Sequence, residues 1–480
     1  MSEFRHHPFT SSSFSRRALI KRASALGPGA ALVSSLEAFA AAGGRFPNGS
    51  ATLHQSPPSI DISGTELKIL QWHHFVPVYD SWFSAFVNEW GAANGVKVTL
   101  DLIDTGDIPA AFANEIDMGE GHDLIEHIEP LSKFEKSVLD MTDLWEETST
   151  RYGDAVNNCR LNSYNPTTEK YYAFCHGYAP TPGNYRKAMW EAVDFPDGPG
   201  TYDELLSGGT RIYNEQGIQM GLGMSPEVDS QIVAQAIIRA FGGAIQDENE
   251  NVTIKSPETI EAVHFMKDLF THCMTPEVFD WNAASNNQLL AAGQASYIFN
   301  GVSAYRNAQE ADPDVARDIF FGTPLVGPAG PANAVSTAQA ALAYQIPAYS
   351  KNPDTAKQFL LHFVENYEAA MLASLLYNLP AFPATAPGLE AALTNDPAGS
   401  EPPDKLLVLK DAAAWTVNLG WPGPTNAMMS DAQTTFILSN MMAKAAREEM
   451  SVEEAVEEAE KLLNQSADTW RSQGLMGGGQ

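Results

Sequence analysis

The chain is poor in cysteine, with three in 480 residues: Cys159, Cys175 and Cys273. None forms a C-x-x-C pair or a zinc-like spacing, which excludes clustered-thiol metal centres. One disulfide, most simply Cys159 to Cys175, is compatible with an oxidising compartment and leaves Cys273 as a buried thiol. Basic side chains are also scarce, 29 against 59 acidic, for a formal charge of −30. Such a balance repels phosphate backbones and anionic head groups, which disfavours nucleic-acid and membrane-surface roles, and the acidic surface reads as a solubility device or a habitat adaptation. A long uninterrupted apolar run is missing too. The Ala-rich stretch ending at Ala42 is broken by Gly27-Pro28-Gly29 and carries Glu37, so it is too soft to span a bilayer.

Catalytic signatures are absent in the same way. There is no G-x-G-x-x-G after a strand, no G-x-S-x-G elbow and no H-E-x-x-H. Gly221-Leu222-Gly223 lacks the third glycine, and His122-Asp123-Leu124-Ile125-Glu126-His127 misses the inverted zincin spacing by one residue. No cofactor and no metal are expected. Carboxylate pairs are plentiful in so acidic a chain, so a secreted glycoside hydrolase is the alternative reading, distinguished by turnover of a glycoside. No internal repeat appears at a solenoid period.

What is present begins with Ser15-Arg16-Arg17-Ala18-Leu19-Ile20-Lys21. Two adjacent arginines before a weakly apolar stretch, with Ala38, Ala40 and Ala42 offering an A-x-A cleavage site, read as a twin-arginine export signal over residues 1–42. No cysteine lies nearby for a lipid anchor, so the mature protein is expected to be soluble in the periplasm. Residues 43–65, rich in Gly, Pro, Ser and Asn, read as a flexible leader.

The folded body begins at Leu67. Leu67 to Trp72 reads as a strand, Tyr79 to Trp90 has the helical period Trp82, Phe83, Phe86, Val87, Trp90, and Val96 to Leu100 is a second strand. Strand, helix, strand at this spacing implies a parallel pair and an α/β lobe. Ser256-Pro257-Glu258 and Asn352-Pro353 open further helices, and Ser451 with Glu454 forms a capping box. Short strands are expected at 295–299, 319–322 and 341–346. Glu453, Glu454, Glu457, Glu458 and Glu460 mark a solvated helix face.

In series, these elements resemble the extracellular solute-binding proteins of ATP-binding cassette importers, in the maltose-type group. The segment Leu67 to Phe75 with Trp82-Phe83, then Gly121-His122-Asp123-Leu124-Ile125, is similar to that family's first strand and helix and its later "P-D-hydrophobic" strand. Lys170 to Phe174 resembles "G-x-x-Y-x-x-P", with Cys175 where proline is usual. Thr201-Tyr202-Asp203-Glu204-Leu205 resembles "T-W-D-E-L", and Phe241-Gly242-Gly243 with Ser256-Pro257-Glu258 resembles "G-G … S-P-E". Ala292-Gly293-Gln294-Ala295, Pro324 to Gly330 and Ile346 to Ala356 continue the series.

The resemblance implies a two-lobed α/β periplasmic-binding-protein fold that closes by a hinge around a ligand. It also implies carbohydrate or polyol cargo, a membrane permease as partner and a monomer without covalent chemistry. A chemoreceptor or signalling kinase could read the same closed form. The matched motifs put residues 66–175 plus 336–395 in lobe 1, 176–335 plus 396–470 in lobe 2, and leave 471–480 as a disordered tail. Ligands of α/β lobes meet the C-terminal ends of strands. That rule selects Trp72, His73, His74 and Phe75, then Glu126 and His127, then Asn300. Tyr178 near the lobe crossing, Trp281 and Trp421 complete the expected mixture of aromatic platforms and planar hydrogen-bonding groups. On extended backbone His73 and His74 point to opposite faces, so one faces the pocket and the other is packed or solvated. Glu126 and His127 are read either as pocket groups or as a surface ion pair.

Overall fold

The computed structural model describes residues 53–479 except Gln55, Pro130 and Gln339; the twin-arginine segment lies outside the described residues. Strand β1 (Glu66–Trp72) runs parallel to β2 (Lys97–Ile103), with Leu67 beside Val98 and Trp72 beside Ile103. The helix between them, α1 (Val78–Asn94), ends at Gly95, whose φ of 66° lets the chain turn back at once. Its buried stripe Trp82, Phe83, Phe86 and Trp90 packs on helix α2 (Pro353–Glu365), where Phe86 stacks on His362 with centroids 5.1 Å apart. The first sheet continues through β3 (Leu124–His127), parallel to β1, and is completed by two antiparallel strands, one of them Ala343–Gln345. A second, three-stranded antiparallel sheet holds Gly183–Arg186 between Ile319–Gly322 and Tyr297–Phe299.

Two hydrophobic clusters follow from these sheets. The first surrounds Trp72, Trp82, Phe83, Phe359 and Phe363; the second surrounds Trp190, Ile237, Leu269, Met428, Met441 and Leu463. The chain leaves the first cluster between Ala179 and Tyr185 and returns between Leu325 and Ala338 to stay until Trp415, after which Leu419 lies in the second. Between Leu290 and Phe321 it contributes to both, with Leu290, Val302, Tyr305 and Ile319 in the first and Tyr297 and Phe299 in the second. At these passages Ser336–Thr337 pairs in parallel with Thr416–Val417, and Thr181 Oγ1 donates to Thr337 O at 3.0 Å. Residues 396–415 were expected in lobe 2. Ala398, Leu406, Leu409, Ala412 and Trp415 instead pack in the first cluster, and Arg306 is tied to Asp396 there by a buried ion pair of 2.7 Å.

Both chain ends also depart from expectation. Residues 53–65 are held along α2, because His54 N donates to Asn366 Oδ1 at 2.6 Å, Ser59 N donates to Gln358 Oε1 at 2.8 Å, and Ile62 is buried. The tail is anchored by buried Leu475 and Met476 and by Gly477 N donating to Glu250 Oε2 at 2.7 Å. Cys159 and Cys175 are unbonded thiols that share the Gly177 carbonyl as acceptor, at 3.7 and 3.1 Å, so the expected pairing is spatial only. Cys273 is the buried thiol foreseen for it. The helix caps at Ser256 and Ser451 form as expected, the second as a full capping box with Glu454. Among the described residues no helix is long and apolar enough to cross a membrane.

Candidate functional site

Between the two clusters lies a cavity of about 740 Å³. One wall comes from the first lobe, at the C-terminal ends of three parallel strands. After β1 the side chains alternate. His73 is largely exposed and lines the cavity, with Nδ1 3.3 Å from Asp80 Oδ2. His74 is 4% exposed, stacks on Trp72 at 4.9 Å, accepts from Val76 N at Nδ1, and donates from Nε2 to Asn378 Oδ1 at 3.1 Å. Burial lowers its imidazole to about 4. Phe75 turns back to the cavity.

The same parity separates the next pair. Glu126 is buried beneath the sheet with Oε1 2.9 Å from His176 Nε2. Burial raises Glu126 well above the carboxylate range and lowers His176 to about 3, so the pair is neutral and is no surface ion pair. His127 lines the cavity, 3% exposed, its ring 5.6 Å from Phe112 and its Nε2 without a partner. Burial and nearby Lys133 hold it neutral, near 3. Two residues on, Glu129 also lines the cavity with Oε2 unpartnered, and burial, partly offset by the charge of Arg239, raises it to about 8. The loop after β2 contributes Asp104, Thr105 and Gly106.

The opposite wall comes from the second lobe. Glu227 caps the helix Val228–Ala240: its carboxylate accepts from Asp229 N at 2.7 Å and Ser230 N at 2.5 Å. The cap favours the charged form, yet burial and neighbouring Asp229 win, and Glu227 rises to about 8. Trp281 is half-buried against the second cluster with its remaining surface toward the cavity, on a loop fixed by Asn282 Oδ1 accepting from Ala284 N at 3.0 Å. Gln433, whose Nε2 has no partner, and Phe436 close the floor. Phe436 sits at φ 57°, a left-handed conformation that costs a bulky residue about 1–3 kcal/mol and is characteristic of ligand clamps.

Of the residues singled out from sequence, His73, Phe75, His127 and Trp281 therefore meet in one cavity. The others are placed elsewhere. Trp72, His74 and Glu126 have the wrong strand parity and are core. Tyr178 is buried where its strand pairs with Leu379. Asn300 is buried and bonded to Asp229, Asn286 and Asn287, which leaves its amide committed to the protein. Trp421 belongs to a tight turn, Trp421 N donating to Asn418 O at 3.1 Å, whose prolines line a separate depression beside Glu248 to Asn251. Asp104, Glu129, Glu227, Gln433 and Phe436 were not foreseen. Asp104 follows a strand and was open to the strand-end rule; Glu227 is not among the residues preferred at an N-cap, and neither it nor Phe436 has a local signal. Among the described residues no group of three or more His, Cys, Asp or Glu side chains could hold a metal ion.

Comparison with known proteins agrees with this fold. The family described as bacterial extracellular solute-binding protein matches residues 85–401. No curated protein matches. Among solved structures, maltose-bound T. maritima MalE3 superposes with a TM-score of 0.70 at 17% identity, covering 84% of this chain and 100% of that one. A sugar transporter from Arthrobacter chlorophenolicus with bound laminaribiose gives 0.69 at 14% identity, covering 83% and 99%. A solute-binding protein of an ABC transporter from Agrobacterium radiobacter, in complex with ribitol, gives 0.64 at 18% identity, covering 85% and 100%. At these identities the likeness shows the two-lobed fold.

Proposed function

The chain belongs to the bacterial extracellular solute-binding proteins, and from that premise we propose that it captures a carbohydrate or polyol between its lobes and hands it to an ABC permease. The observation that carries this reading is the interlobe cavity itself. Aromatic surfaces of Phe75, Trp281 and Phe436 face polar groups whose hydrogen-bonding capacity is unspent at His127 Nε2, Glu129 Oε2 and Gln433 Nε2. Sugars present flat apolar faces and rings of hydroxyls, and this mixture matches both. Buried polar atoms without partners cost free energy in the empty state, and a ligand's hydroxyls recover it.

The ligand would be held by contact alone, with no bond made or broken. The three passages at 179–185, 325–338 and 415–419 are the natural hinge, since a few extended residues there absorb the rotation while both cores stay rigid. In this reading the first lobe takes residues 66–175 with 336–415, the second takes 176–289 with 416–470, residues 290–321 contribute to both cores, and the protein acts as a monomer. Export by the twin-arginine route to the periplasm belongs to the same reading, supported by Arg16-Arg17 and the alanine-rich stretch behind them.

The test is thermal unfolding against a panel of mono- and oligosaccharides, polyols and sugar acids, with the ligand recovered afterwards. Binding to the native state raises the midpoint by mass action. A shift confined to one stereochemical group, with that compound recovered intact, is the expected result. No shift across the panel refutes carbohydrate capture, and consumption of a glycoside would establish the hydrolase instead.

A further inference from the structure

Resting on that reading, we infer that the preferred ligand carries a cationic amine, as an amino sugar does, seated between Glu129 of the first lobe and Glu227 of the second. The carboxyl side chains lining the cavity are Asp104, Glu129 and Glu227. No lysine or arginine among the described residues lines it. The nearest cations stand outside. Lys133 is engaged at the rim, donating to Thr434 Oγ1 at 2.9 Å with Asp431 3.8 Å away. Arg239 is 1% exposed and is not part of the lining; it donates to Gln235 Oε1 at 2.9 Å and Leu419 O at 3.0 Å, has Nε and Nη1 unpartnered, and its charge partly offsets the effect of burial on Glu129.

Hydroxyls alone do not require this one-sided set of acids, because a neutral sugar is served by amide and imidazole groups without the cost of burying carboxyls. Two further observations point to a ligand at this place. His127, 3% exposed, presents an unpartnered Nε2 on the cavity wall, and burial keeps the ring from adding positive charge. Glu129 Oε2 is likewise buried without a partner. Phe75, Trp281 and Phe436 supply ring faces, which attract cations as well as apolar sugar faces. An ammonium between the carboxyls would replace their protons, so that each acid ionises as the lobes close and the proton leaves to solvent.

Calorimetry on the intact protein tests this with glucosamine and its β-1,4 disaccharide against glucose and cellobiose, and with spermidine as a non-sugar amine. The expected result is that at least one amino sugar binds about tenfold or more tightly than its neutral counterpart, the scale of a charge-assisted hydrogen bond. In Glu129→Gln and Glu227→Gln that ratio should fall toward one, and both variants should keep a cooperative unfolding transition. Neutral sugars binding as well as or better than their amines overturn the inference and leave carbohydrate capture standing. Spermidine binding without any sugar overturns carbohydrate capture and leaves the cationic-amine site standing; no binding at all overturns both.

Discussion

Raising the pH from 6.5 to 8 should loosen the ligand-free protein, and Glu129 should contribute about 1.5 kcal/mol of the loss. In the folded chain Glu129 and Glu227 hold their protons up to about pH 8, against an ordinary value of 4.5. A raised carboxyl means that the native state binds more protons than the unfolded one between those two values. Stability therefore grows as pH falls through 8 and is lost as pH rises toward it. Each carboxyl contributes a slope of up to about 1.4 kcal/mol per pH unit, flattening near 8, which over the 6.5 to 8 window sums to about 3 kcal/mol for the two. The buried imidazoles oppose this loss at the lower end of the window: His74 and His362 lie near 4, and His127 and His176 near 3, so they are neutral when folded and add stability as pH rises through about 6.5. Glu126, raised well above the carboxylate range, adds to the loss, and both effects are common to wild type and a Glu129 variant. Lys405, lowered to about 8, adds stability only at higher pH. Urea unfolding followed by tryptophan fluorescence at three pH values and constant ionic strength measures the slope. Wild type should lose about 1.5 kcal/mol more than Glu129→Gln across the window. Stability that is level or rising across the window, or an unchanged slope in the variant, refutes the reasoning.

Trp281→Ala should weaken binding of whichever panel ligand is captured by about 2 kcal/mol, since the free half of an indole covers about 100 Å² at about 25 cal/mol per Å². Trp421→Ala, outside the cavity, should leave calorimetric affinity unchanged; equal losses in both would place the ligand elsewhere. Asp396→Ala strands the Arg306 guanidinium, 2% exposed, and should cost about 3–5 kcal/mol in denaturant unfolding. Thr201→Ala removes one side of the capping box closed by Glu204 and should cost about 1 kcal/mol, read as a lower melting temperature.

The first lobe was legible because its signals are local. A strand, an aromatic helix stripe and a second strand specify a parallel pair through spacing alone, and Ser256-Pro257 and Ser451 with Glu454 state helix starts in the sequence. The site was legible only to the level of loops. Strand ends led to His73, Phe75 and His127, while parity, which assigns His73 to the cavity and His74 to the core, depends on which face the neighbouring helix covers. Trp421 misled because its Gly and Pro neighbours make a turn as readily as a platform. Glu129, Glu227 and Phe436 converge from three distant stretches of chain, and no local pattern records that meeting. The tail and the leader read as loose by composition, whereas their order comes from distant partners, Glu250 for one and Asn366 for the other.

The buried thiols make the protein ready for labelling. All three cysteines are sealed from solvent, and burial raises Cys159 well above the usual thiol range and Cys273 to about 11, so little nucleophilic thiolate is presented to a reagent. Asn282, exposed beside Trp281 at the cavity mouth, could become cysteine and carry the sole reactive sulfur. A fluorophore attached there would change its surroundings whenever the lobes meet, turning the protein into a reagentless optical sensor for its own cargo.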